Sequence, residues 1–215
     1  MTNDARQILE DIIGDFAPEK FSSFFRNKSR QYAAREADLS QYNDDNFATG
    51  KKQGEIKFSD GDQLLICTFA AQNPLSERSG KKAQYEKAKN ILKEMQVYAA
   101  GIFIFYDASG NFRFSLVYPE STGAKRQWNN FRRFTYFVSA EFTNKTFLNR
   151  IGDGNFETLQ KVKDAFAVGP VTDLFHKEFF VEYLNLFSIA RNSNAHQLFP
   201  YIFNLNRFNS ILQFT

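Results

Sequence analysis

Two short segments of this chain, Leu64-Leu-Ile-Cys-Thr-Phe69 and Gly101-Ile-Phe-Ile-Phe-Tyr106, are apolar on both of their alternating faces. A strand of that kind has no face to give to water, so each belongs at the centre of a sheet covered on both sides. Between them Tyr85, Ala88, Leu92 and Met95 recur at three- and four-residue spacing, with Lys87, Lys89 and Lys93 on the opposite side. This spacing predicts an amphipathic helix over residues 80–96, packed across a mixed sheet that holds both strands.

The remaining elements follow from the same periodicities. Ile8, Leu9, Ile12 and Ile13 form one helical stripe that Gly14 stops, and Pro18-Glu19 opens a second helix through Phe21, Phe24 and Phe25. Residues 39–53 are polar and rich in Asp and Asn, which reads as an irregular connection. A strand over 54–58 turns through Ser59-Asp-Gly-Asp62 into the first apolar segment, the Asp-Gly pair being a tight-hairpin signal. After Asp107-Ala-Ser-Gly110 come a strand over 111–118, a loop with Lys125, Arg126 and Trp128, and a strand over 131–138. From Phe156 onward the pattern is helical, through Leu159, Val162 and Phe166 and again from Val171 to Ile189. The order predicts an α+β (mixed α/β) fold, with a core over residues 1–150 and a helical part over 151–215.

Composition narrows the function classes. The 26 phenylalanines among 215 residues supply a bulky core. A single cysteine, Cys67, excludes an internal disulfide framework and suits a reducing cytosol. The chain opens on no basic-then-apolar leader, and no apolar run approaches the ~20 residues of a membrane span, so a cytoplasmic protein without a membrane partner is expected. His176 and His196 stand far from any cysteine pair, which removes the usual zinc spacings. Neither a Gly-x-Ser-x-Gly elbow nor a Gly-x-Gly-x-x-Gly fingerprint is present, and Gly80-Lys81-Lys82 lacks the rest of a phosphate loop.

Three groups of residues remain as candidates for chemistry. Glu55 and Lys57 lie two apart on one strand and so share a face, with Asp60 and Asp62 in the turn that follows. Read chemically, Glu55, Asp60 and Asp62 hold Mg²⁺ and Lys57 positions the attacking water; read plainly, this is a solvated charged hairpin. The second group is Arg78, Lys81 and Lys82 at the start of the 80–96 helix, with Gln84 and Tyr85 following. The positive end of a helix dipole disfavours cations, so their presence there points to an anion, unless the side chains simply splay into water. Lys125, Arg126, Arg132 and Arg133, interleaved with Trp128, Phe131 and Phe134, make a further basic–aromatic patch of the kind nucleic acid uses. Overall charge is only mildly basic, 27 Lys and Arg against 24 Asp and Glu, so any polyanion site must be local.

Gly54-Glu-Ile, Leu75-Ser-Glu-Arg-Ser, Lys82-Ala-Gln-Tyr85 and the run from Ala100 to Tyr118 together resemble the region before the methylase in Eco57I-like type IIG restriction–modification proteins. Arg132-Arg-Phe-Thr-Tyr-Phe-Val138 and Ala165-Phe-Ala-Val-x-Pro-Val-Thr-x-x-Phe175 extend the likeness, which covers roughly residues 20–187. The resemblance implies an N-terminal nuclease-like module of the PD-(D/E)XK class that contacts double-stranded DNA. It also implies partners in the same full-length chain: a target-recognition part and an adenine-specific methyltransferase using S-adenosylmethionine. The methylase motif Asn/Asp-Pro-Pro-Tyr is absent, so the sequence reads as the first piece of something longer. One departure stands out: the central strand should carry an acid and a lysine but reads Leu-Leu-Ile-Cys-Thr-Phe-Ala-Ala-Gln from Leu64 to Gln72. Only Glu55-Ile-Lys57 supplies those letters, one strand early. A scaffold domain that docks the methyltransferase without cutting DNA is therefore the alternative.

Overall fold

The Ile8/Leu9/Ile12 and Phe21/Phe24/Phe25 stripes take the helical form that their spacing demands, as α1 (Ala5–Gly14) and α2 (Lys20–Lys28). Two short strands, β1 (Tyr32–Ala33) and β2 (Ala37–Asp38), lie against β3 (Phe47–Lys57), which the Asp60-Gly61 turn joins to β4 (Gln63–Ala71). Then follow α3 (Lys81–Glu94), β5 (Ala100–Tyr106) and β6 (Phe112–Val117). A separate hairpin, β7 (Pro119–Thr122) and β8 (Lys125–Trp128), precedes β9 (Thr135–Val138). Last come α4 (Lys145–Phe147), which runs into a π turn over Leu148–Gly152, and α5 (Leu159–Phe166). The computed structural model describes residues 5–167 apart from Ser79, Gly123 and Ala124, with backbone alone for residues 121, 122, 125 and 126. The helices expected beyond residue 170, with His176 and His196, lie outside the described residues.

The main sheet has the strand order β1-β3-β4-β5-β6-β9, with β2 also pairing with β3. β4 and β5 are parallel neighbours, in register from Leu64 opposite Ala100 to Ala70 opposite Tyr106, and every other pair is antiparallel. A parallel pair needs a crossover, and α3 supplies it. The α+β reading of the sequence and its two central strands are therefore the observed architecture.

Strand alternation splits the core into two layers. Leu64, Ile66, Ile102, Ile104, Phe112 and Phe114 face α1, α2 and α5, while Leu65, Cys67, Phe103 and Phe105 face Ala88, Ile91 and Leu92 of α3. Phe114 is the hub of the first layer, stacked on Phe166 at 5.4 Å and on Phe25 at 6.1 Å between ring centroids. Among the described residues no helix is long and apolar enough to cross a membrane.

Three expectations need correction. β3 begins at Phe47 rather than at residue 54, because two register shifts, between Ala48 and Lys51 and between Lys52 and Gly54, break the alternation by which a strand is read. The segment around Lys125 and Arg126 is a β hairpin rather than a loop, and residues 131–133 form a 3-10 turn before β9. The core does not end at residue 150: Ile151, Phe156, Leu159, Val162 and Phe166 are buried in the same layer as Phe114.

Candidate nucleic-acid interface

The carboxyl ends of β4 and β5 lie at one end of the sheet, and the chain leaving β4 must cross that end before it can enter α3. Asp107, at the end of β5, anchors this crossing: its carboxylate accepts from the backbone N–H of Leu75 at 2.8 Å and from Ser109 and Asn111 in its own turn. Arg113 on β6 donates to the carbonyl of Ser76 and lies over the ring of Phe137 at 5.7 Å. Gly80 then takes φ 74°, a left-handed value that glycine adopts without a Cβ penalty, and among the described residues no side chain caps the start of α3. Its first-turn amides, which a helix leaves without intrahelical acceptors, lie at the positive end of the dipole.

A second segment is brought up against this helix start. The buried amide of Asn129 bridges the carbonyl of Leu116 at 2.9 Å and the N–H of Tyr118 at 3.0 Å. Its own carbonyl accepts from the Tyr85 hydroxyl at 2.9 Å. The Phe131 ring packs on Tyr85 at 5.2 Å, and the Asn130 side chain accepts from the Arg132 N–H, which fixes the turn that presents Arg132. Between the two segments lies an open cleft of about 980 Å³ lined by Arg78, Lys81, Lys82, Tyr85, Trp128 and Arg132, among others. The helix-start cations singled out in the sequence thus share one cleft with part of the second patch, Trp128, Phe131 and Arg132.

The charge there is unfavourable in the free protein. Burial, and then the nearby guanidinium groups of Arg113 and Arg132, pull the Lys81 ammonium below its ordinary pKa, with Glu77 acting in the opposite sense. Burial pushes Arg113 down to about 10. Such a crowd of cations is what an anion would relieve.

The other expected residues fall elsewhere. Arg133 is exposed and lines neither this cleft nor its neighbour. Lys125 and Arg126 stand on β8 by their backbone, and their side chains lie outside the described residues. Gln84 is fully buried, with neither side-chain atom hydrogen-bonded among the described residues, so it is turned into the protein and not toward the cleft.

The carboxylates expected to hold Mg²⁺ are differently engaged. Glu55 is 7% exposed and accepts from the Lys52 ammonium at 2.6 Å and the Tyr98 hydroxyl at 2.7 Å, with Arg35 at 3.1 Å from its other oxygen. Burial works to raise the Glu55 pKa, but the bonds from Lys52 and Tyr98 and the charges of Lys52 and Arg35 outweigh it, so the carboxyl stays below its ordinary value. Asp60 caps its own turn by accepting from the Asp62 N–H, and Lys57 is exposed at the end of β3. Among the described residues no group of three or more His, Cys, Asp or Glu side chains is gathered to hold a metal. This donor set, its one buried carboxylate already neutralised by two cations, does not fit a Mg²⁺ site.

Sequence reading missed the Lys52–Glu55–Tyr98 cluster, because a bulge sets Lys52 on the Glu55 face and Tyr98 comes from a distant turn. It also missed Arg113, which alternates with Phe112 and Phe114 as an outward residue would. No protein-family model, curated protein or solved structure matches this chain.

Proposed function

We propose that this domain is the nuclease-like, DNA-contacting N-terminal module of a type IIG restriction–modification chain, and that the cleft at the start of α3 grips backbone phosphates of double-stranded DNA. One observation carries the reading: Arg78, Lys81, Lys82 and Tyr85 at the start of α3 and Trp128, Phe131 and Arg132, remote in sequence, line a single cleft with four cations and three aromatic side chains. Cations and free helix-start amides suit phosphate oxygens, and aromatic rings beside them suit the sugars and bases. The role is contact rather than cutting, an assignment favoured by the Glu55 carboxylate being held between Lys52 and Arg35. In the full-length chain the methyltransferase, with its S-adenosylmethionine, and the target-recognition part supply methyl transfer and sequence choice.

The test is equilibrium binding of the chain to a fluorescent DNA duplex, with a Mg²⁺-dependent plasmid cleavage assay alongside. Lys82→Gln and Arg132→Gln are each expected to weaken duplex binding by about tenfold, the worth of one charge-assisted hydrogen bond. The loss should be similar for unrelated sequences, since phosphate contacts carry no sequence information. Unchanged affinity in both variants would remove the reading. Plasmid cleavage by the native chain that stops in a Glu55→Gln variant still folded by circular dichroism would restore the nuclease assignment.

A further inference from the structure

Lys81 and Arg132 also line a second cleft, of about 590 Å³, whose wall is the α3-facing side of β6 and β9. Arg113 lies at its floor with no solvent exposure, and Phe137, Glu77, Glu141 and Phe142 are among the other residues that line it. We propose that this second cleft binds a nucleoside 5′-monophosphate unit, with Lys81 and Arg132 on the phosphate, Arg113 beneath as a fixed charge, and the Phe137–Phe142 pair against the base.

Lys81, Arg113 and Arg132 outnumber the carboxylates Glu77 and Glu141 in this lining, at the positive end of a helix, so the cleft favours an anion. A phosphomonoester, which approaches two negative charges at neutral pH, gains more from that excess than a phosphodiester of the DNA backbone, which carries one. Arg113 is held in place by its bond to the Ser76 carbonyl and by the Phe137 ring, so its charge is preorganised. The rings supply the second half. Phe142 is 55% exposed and is one of two large hydrophobic side chains so exposed among the described residues, the other being Val97. It meets Phe137 edge-on at 6.0 Å, which leaves a ring face at the mouth of a basic cleft. Such a face is where a base stacks, whatever its identity. Glu77 and Glu141 tell against a bare polyphosphate and suit a ligand that also brings N–H and O–H donors, as a nucleoside does. The proposal does not require the larger cleft to hold DNA, although the two share Lys81 and Arg132.

Two sources offer this chemistry, a free nucleotide and the 5′-phosphorylated end of a DNA strand. The experiment is calorimetric titration of the full chain with AMP, adenosine and inorganic phosphate, and with one DNA hairpin carrying either a 5′-phosphate or a 5′-hydroxyl. AMP is expected to bind at least tenfold more tightly than adenosine or phosphate. Phe142→Ala should lower AMP affinity about tenfold while leaving that of inorganic phosphate alone. If the phosphorylated hairpin outbinds its hydroxyl twin by the same margin and competes with AMP, the strand end is the ligand; if the twins bind alike, it is the free nucleotide. Lys82→Gln, whose residue lines only the larger cleft, should weaken duplex binding and spare AMP, which separates failure of the DNA reading from failure of this one. Adenosine binding as tightly as AMP, or AMP affinity untouched by Phe142→Ala, would overturn the proposal.

Discussion

Glu55 shows at the level of one residue how a sequence motif and a structural role diverge. An acid two residues before a lysine on a strand has the spelling of a metal-binding nuclease, yet the side chain that matters to Glu55 is Lys52, across a bulge, and not Lys57. The Lys52 side chain is only 12% exposed, so removing its counter-charge leaves a largely buried cation. Glu55→Gln is expected to cost about 3 kcal/mol, the usual penalty for breaking such a pair from one side. Urea unfolding measures it, and a change below about 1 kcal/mol would show that the pair is solvated like a surface bridge. The pH dependence follows from the sign of the shift. With its folded pKa held below the ordinary 4.5, Glu55 contributes stability that is present above that value and fades as pH falls through the depressed one. Unfolding midpoints of the native protein should therefore drop below about pH 4.5, and the Gln variant should lack that component of the fall.

At the level of elements, α5 shows how far the core extends. Phe166 is fully buried and stacks almost flat on Phe114, and the Tyr136 hydroxyl donates to the Ala165 carbonyl at 3.1 Å. Phe166→Ala should destabilise the fold by about 3–5 kcal/mol, as deletion of a core phenylalanine does. A loss under about 1 kcal/mol in thermal or urea unfolding would mean that α5 is an appendage after all. The elements legible in the sequence were those whose residue pattern matches a single period: β4 and β5 by their two apolar faces, α3 by its stripe, and the β3–β4 turn by Asp60-Gly61. Those that escaped have mixed or broken periods. The first half of β3 is polar and twice bulged, with Thr49 at φ 46°, and β7–β8 pairs only with itself, so nothing in its alternation announces a core. The cations of the candidate site could be picked out one segment at a time. That Arg132 would stand beside Lys81 could not, because it depends on Asn129 and Tyr85 pinning one loop to the helix, a tertiary contact with no sequence spacing of its own.

At the level of the whole molecule, the question is where a small net charge is spent. An excess of three cations over 215 residues would attract a polyanion weakly if it were spread evenly. Instead Arg78, Lys81, Lys82 and Arg132 line one cleft at a helix start, a placement that works against folding and in favour of an anion. Each lysine at that end should cost the free protein a few tenths of a kcal/mol, and Lys81 bears the added repulsion of Arg113 and Arg132. Replacing Lys81 and Lys82 together by Gln is therefore expected to raise the stability of the free chain slightly while weakening its hold on duplex DNA. A phosphate that is no longer neutralised keeps roughly one counterion, so the log–log slope of affinity against salt should flatten by about one unit for each such phosphate. Stability and salt slope must move in these opposite senses together. If the variant is less stable, the lysines contribute to folding; if the slope is unchanged, they point into water and the phosphates lie elsewhere on the surface.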